Sequence, residues 1–185
     1  MYRFLPQIIH NAQVECRTND ELKKRLVFYL KSISMISDPE KRLEFVREEI
    51  DKTLESIDSS CEKGCHFCCY HPIGLAKSEM RSIKEFSPRF SQARLEQQID
   101  FYANNIAIEY EQKKCVFLDN GQCGVYAKRP LVCRLAHVKS DPANCQLSNQ
   151  SQNIEQLSVQ TAAVIAVAFY QLNPEVELIP ISLTQ

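Results

Sequence analysis

The chain has 185 residues, 44% of them hydrophobic and 24% charged, with a formal net charge of -1. That length suits one compact domain and hardly two. The balanced charge argues against broad binding of nucleic acid or of an anionic membrane surface, which calls for a basic excess. The longest apolar run, Ala162 to Tyr170, is about half of what a membrane span needs. The opening stretch, Met1 to His10, lacks the continuous apolar core of a signal peptide. These features predict a soluble, cytoplasmic protein with no nucleic-acid and no membrane partner.

Four long helices are expected. Thr18-Asn19-Asp20-Glu21 carries a capping signal, and Leu22, Leu26, Tyr29 and Ile33 then fall on one face. Asp38-Pro39 opens the second helix, Asp as N-cap and Pro at the first helical position. Its apolar stripe is Leu43, Val46, Ile50, Leu54 and Ile57. A third helix is predicted from about Ser91 to Lys113, with Leu95, Ile99, Tyr102, Ile106 and Tyr110 in register. The fourth runs from about Ile154 to Leu172 and stops before Pro174. It is apolar on most faces, which places it at the centre of the bundle. A shorter helix begins at Ser78 and ends before Pro88. Val116-Phe117-Leu118 and Val125-Tyr126 flank Asp119-Asn120-Gly121-Gln122, a hairpin around a turn. The expected fold is mainly α: a single-domain helical bundle, residues 1–185, with a small β-hairpin and cysteine-rich loops. Residues 1–58 form its N-terminal helical region and 61–185 its cysteine-cluster region.

Nine cysteines, against four glycines and no tryptophan, are the compositional outlier. In a reducing compartment a cysteine-dense stretch points to metal rather than to a disulfide framework. Block one reads Cys61-Glu-Lys-Gly-Cys65-His-Phe-Cys68-Cys69. Two cysteines separated by two residues, such as Cys65 and Cys68, can face one ion across a tight turn, and Gly64 supplies the backbone freedom for it. Cys68 and Cys69 are adjacent and are expected to face apart. Block two holds Cys115 and Cys123 on either side of the hairpin, then Cys133 after Arg129-Pro130, then Cys145. Residues 113–139 carry six basic residues against one acid, Asp119. That excess suits a buried anionic metal–thiolate centre. Arg129 and Arg134, which flank Cys133, are the candidates to surround such a centre.

Taken in order, these motifs resemble the YkgJ family of cysteine-cluster proteins, described as a zinc- or iron-chelating domain. The resemblance rests on Cys61-x3-Cys65-x2-Cys68-Cys69, on Cys115-x-Phe-Leu, and on Cys123-x-Val-Tyr-x-x-Arg129-Pro130-x-x-Cys133-Arg134. The tail Ser140-Asp-Pro-Ala-Asn-Cys145 and the closing Ile179-Pro-Ile-Ser-Leu183 also resemble the family pattern. Val116 stands where that pattern has Pro, and Val125 where it has Ile. The resemblance implies bound zinc or iron. The family shares its cysteine domain with flagellin lysine N-methylases, which are much longer chains.

Setting aside Cys16, expected to be a free buried thiol, eight cysteines remain as candidate ligands: Cys61, Cys65, Cys68, Cys69, Cys115, Cys123, Cys133 and Cys145. Eight thiolates can fill two tetrahedral zinc sites; four can hold a [4Fe–4S] cluster. Spacing does not separate these metals, and stable structural sites favour zinc. Pairing across the two blocks is expected. The spacing of Cys61, Cys65 and Cys68 is also that of radical S-adenosylmethionine enzymes, but no βα repeat accompanies it. His66, His71 and His137 lie near the blocks but are not needed as ligands, and His10 reads as a surface residue. No acid–base pair, nucleophile constellation or nucleotide-binding glycine loop is present. A metal-binding structural or accessory module therefore ranks first, an iron–sulfur redox protein second and a protein-modifying enzyme third.

Overall fold

A computed structural model describes residues 4–70, 73, 75–87, 114–145, 154–157 and 159–173. The fold is mainly helical. Helix α1 spans Phe4–Glu15, α2 Asp20–Ser34, α3 Pro39–Leu54, α4 Lys77–Phe86, α5 Leu131–Leu135 and α6 Gln160–Leu172. One antiparallel hairpin pairs β1, Leu118–Asp119, with β2, Gln122–Cys123. The expected helix at Ser91–Lys113 and the tail Ile179–Leu183 lie outside the described residues.

Helix α6 is the centre of the bundle. Every residue from Ala162 to Phe169 is buried, and α1, α2 and α3 all pack against it. A helix apolar on all faces has no solvent side to offer, so its neighbours must surround it. It begins at Gln160 rather than at Ile154, because residues 154–157 are extended and Gln156 forms a bridge with Val138. Each large side chain that it buries, such as Ile165 or Phe169, contributes about 1.5–3 kcal/mol.

The cap of α2 falls one residue later than the sequence signal suggested. Asn19 Oδ1 accepts from the amides of Glu21 and Leu22 at 3.0 and 3.1 Å, whereas the Thr18 hydroxyl donates backward to Glu15 O. Asp38 caps α3 as expected, accepting from Lys41 N at 2.8 Å. Helix α1 was not anticipated; Ile8 and Ala12 are buried positions on it, and Cys16, just past its end, is buried beside them.

The hairpin is tighter than the sequence suggested. Asn120 and Gly121 both have positive φ, 46° and 74°, the requirement of a two-residue type I′ turn. Leu118 faces Cys123 and Asp119 faces Gln122. Val125 lies beyond the ladder, and Tyr126–Lys128 forms a 3-10 turn instead of a strand.

Two seams of polar contacts bind α3 and α4 to the second cysteine block. Arg47 of α3, fully buried, donates to Ser82 Oγ at 3.0 Å and to Lys128 O at 3.2 Å. Glu44 pairs with Lys128 at 2.5 Å. Glu79 of α4, also fully buried, accepts from Ala76 N and Leu131 N at 2.8 Å each and from the Tyr170 hydroxyl at 3.1 Å. One carboxylate thus joins the starts of α4 and α5 to the central helix.

Candidate metal centre

Each cysteine sits on a short, backbone-determined turn. In block one Cys65 N donates to Glu62 O at 3.0 Å, a turn made possible by Gly64 at φ 105°. The 3-10 turn Phe67–Tyr70 carries Cys68 and Cys69. In block two Cys123 lies on β2, Cys133 on α5 and Cys145 on the 3-10 turn Pro142–Cys145. Asp141 Oδ1 holds that last turn by accepting from Ala143 N at 2.8 Å.

The two blocks meet. Cys115 N donates to Cys69 O at 2.7 Å, and Ser60 N to Val138 O at 2.9 Å. The Ser60 hydroxyl donates to Lys139 O at 2.7 Å. The turn bearing Cys68 and Cys69 packs against the turn bearing Cys145. His137 closes the same junction, with Nδ1 2.9 Å from Ser59 Oγ and Nε2 2.8 Å from Arg134 O. Both of its ring nitrogens are therefore engaged. His66 stacks on Phe67, its ring lies against Gly121 and its Nδ1 is 3.3 Å from Gly64 O. His71 lies outside the described residues.

All eight cysteines of the two blocks are half-buried and free of disulfides, whereas Cys16 is buried in the helical core. The thiols of block one act on one another in pairs. Interaction with Cys65 brings the Cys61 thiol down to about 6 while Cys65 is pushed up. Interaction between the neighbours Cys68 and Cys69 lowers the first and raises the second. Cys68 and Cys69, expected to face apart, therefore still lie within reach of one another. The tight turn replaces the extended geometry in which neighbouring side chains alternate.

Across the blocks the thiols act on one another. Burial raises Cys123, Cys133 and Cys145, the last to about 11, and charge on Cys68 adds to all three shifts. Cys115 and Cys133 add to the rise at Cys69. Cys68 is therefore within electrostatic reach of thiols from both ends of the chain segment.

The two arginines, alike in the sequence, part ways in space. Arg129 faces the thiols, and its charge favours the thiolates of Cys61, Cys68, Cys123 and Cys133. Its guanidinium stacks on the Tyr126 ring, 4.4 Å from the centroid. Its Nε is buried and has no hydrogen-bond partner among the described residues. Arg134, also buried, turns toward α3, where it pairs with Asp51 and donates to Ala127 O at 2.5 Å and Arg129 O at 3.3 Å. Tyr126 was missed as part of the site; its i, i+3 spacing to Arg129, the spacing of a cation–π platform, was the available signal.

Thiols from both blocks, a cation aimed at them and an orphaned buried donor fit an anionic metal–thiolate centre. Among the described residues no three Cys, His, Asp or Glu side chains stand in ligating geometry.

The sequence profile of the CxxCxxCC family, described as a "putative zinc- or iron-chelating domain", matches residues 60–160. The chain belongs to this YkgJ-type cysteine-cluster family. Its family domain contains all eight cysteines and both arginines, while α1, α2 and α3 precede it. No curated protein and no solved structure matches the chain. Membership supports binding of a metal ion. No helix among the described residues is long and apolar enough to cross a membrane.

Proposed function

We propose that the protein is a metal-chelating module in which Cys61, Cys65, Cys68, Cys69, Cys115, Cys123, Cys133 and Cys145 supply the ligands. The ions are shared between the two blocks, and their role is structural or accessory. The observation that carries this reading is the convergence of half-buried thiols from both blocks around Cys68. Uptake of an ion replaces the thiol protons with metal–sulfur bonds and releases those protons. Zinc is the proposed metal, since eight thiolates complete two closed tetrahedral sites, and closed sites are structural. The bound ion would supply rigidity and charge neutralisation, with Arg129 balancing the excess negative charge. The whole chain acts as one domain in this proposal, the helices at 4–54 covering a centre built from 61–145.

Elemental analysis of anaerobically purified protein, with a visible spectrum, tests this. Colourless protein holding about two zinc ions per chain is expected. Brown protein absorbing in the visible would instead establish the iron–sulfur reading. Protein without bound metal that also fails to take up zinc would remove the proposal altogether.

A further inference from the structure

Away from the cysteines, the outer face of α2 differs from the rest of the described surface. Five large hydrophobic side chains are exposed among the described residues, and three lie on this helix or its C-cap: Val27 (60%), Phe28 (60%) and Met35 (77%). At about 100° per residue they share one arc with Lys23, Lys24 and Lys31, all exposed. Asp20 lies on that arc and Glu21, also exposed, lies at its edge about 20° beyond Phe28, so three lysines stand against two acids. The arc therefore combines three apolar side chains with a surplus of positive charge, on a protein whose net charge is -1.

The helix is held firmly from behind. Leu22, Tyr29 and Ile33 are buried. The Tyr29 hydroxyl donates to Glu49 at 3.0 Å, and Arg25 Nε to Thr161 O at 3.1 Å. Phe28 meets the Tyr29 ring edge-on at 5.1 Å. The outer face is thus preformed, and a partner would not have to order it. It also lies outside residues 60–160, the family's metal domain.

We propose that this face docks an acidic amphipathic helix of a protein partner, with Phe28 and Met35 as apolar anchors and Lys23, Lys24 and Lys31 pairing with its carboxylates. Charge complementarity selects the occupant. Lys24 and Lys31 lie between Val27 and Phe28 on the arc rather than at its edges, so sinking the face into a bilayer would drag ammonium groups toward the acyl chains. A twofold pairing with a second copy would set lysine against lysine. A helix that alternates apolar anchors with Glu or Asp satisfies both kinds of side chain.

The test uses the purified full chain and a panel of fluorescent acidic amphipathic peptides of about 20 residues, long enough for a marginal helix. Charge-reversed peptides and phosphatidylserine vesicles run in parallel. Binding of the acidic peptides is expected, weakening with salt, and falling about tenfold in Phe28→Ser, in Met35→Ser and in the double variant Lys24→Glu/Lys31→Glu. Melting temperature and metal content should stay unchanged in these variants. Four results would overturn the proposal: no binding of the acidic peptides, binding insensitive to all three variants, preference for the vesicles, or self-association that Phe28→Ser abolishes.

Discussion

Arg129 and Arg134 stand on either side of Cys133, and motif spacing alone offered no reason to treat them differently. The structure divides their work. Arg129 lies on Tyr126 with its buried Nε unpartnered and its charge on four thiols. Arg129→Ala should therefore speed metal loss to a chelator, measured by a colorimetric zinc indicator. Arg129→Lys should restore only part of the retention, because an ammonium keeps the charge but not the planar stack. Arg134 spends its donors on Asp51 and on two carbonyls of its own block. Its removal should cost about 1–3 kcal/mol of stability, read from chemical denaturation, because it strands two part-buried carbonyls and loosens the helix bearing Cys133. Metal retention should weaken in Arg134→Ala as a consequence of that loosening, and unchanged metal content would show that α5 is held without it. Motif spacing located both residues; which way a guanidinium points depends on α3, far away in sequence, and was not legible.

At the scale of elements, the stripes of α2 and α3 and the cap of α3 were legible because each combines a periodic apolar face with a start signal, and α4 was placed to within a residue of its start at Lys77. Helix α1 was not. Its first turn contains Pro6, and Met1-Tyr2-Arg3 before it holds none of the residue types that favour an N-cap, although Pro in a first turn costs little. The polar side of α3 was equally hidden, since its apolar stripe leaves out Glu40, Glu44 and Arg47. Glu44 and Arg47 hold Lys128 in the turn before Cys133, and Glu40 accepts from Ser82 of α4. Burial opposes ionisation of Glu44, but Lys128 and Arg47 outweigh it and hold the carboxyl below its ordinary range. A lowered folded-state pKa means that this contribution is present above the ordinary carboxylate pKa and is lost as pH falls through the lowered value. Glu44→Gln should therefore flatten the acid limb of the melting temperature against pH. The effect should be small, since Glu44 is partly exposed.

For the whole molecule, mainly helical architecture and a metal-chelating cysteine pattern were readable from periodicity and spacing. The mutual arrangement of the thiols was not, because it depends on contacts between residues about 50–80 positions apart, such as Cys69 with Cys115 and Ser60 with Val138, and such loop closures leave no local signal. Outside α5 and its flank, where Leu131, Val132, Leu135 and Val138 are buried, the described cysteine turns bury only Phe117, Leu118 and Val125. Stability should therefore depend on the ion. A strong chelator, or Cys68→Ser, is expected to lower the melting temperature substantially, whereas Cys16→Ala should leave metal content unchanged. A melting curve that chelator does not move would show that the helical core folds without help from the centre.

The placement of α6 bears on how the chain is made. Helices α1, α2 and α3 leave the ribosome before α6, yet the surface they share is the one that α6 covers, and α6 ends at Leu172. Synthesis must pass residue 172 before those apolar faces are sealed. The eight cysteines of the two blocks emerge earlier, since the last of them is Cys145. During synthesis, then, the proposed metal ligands are all present while the hydrophobic core still lacks its centre. Ion capture can precede closure of the bundle, and the newborn chain is most in need of a chaperone in the interval between the two.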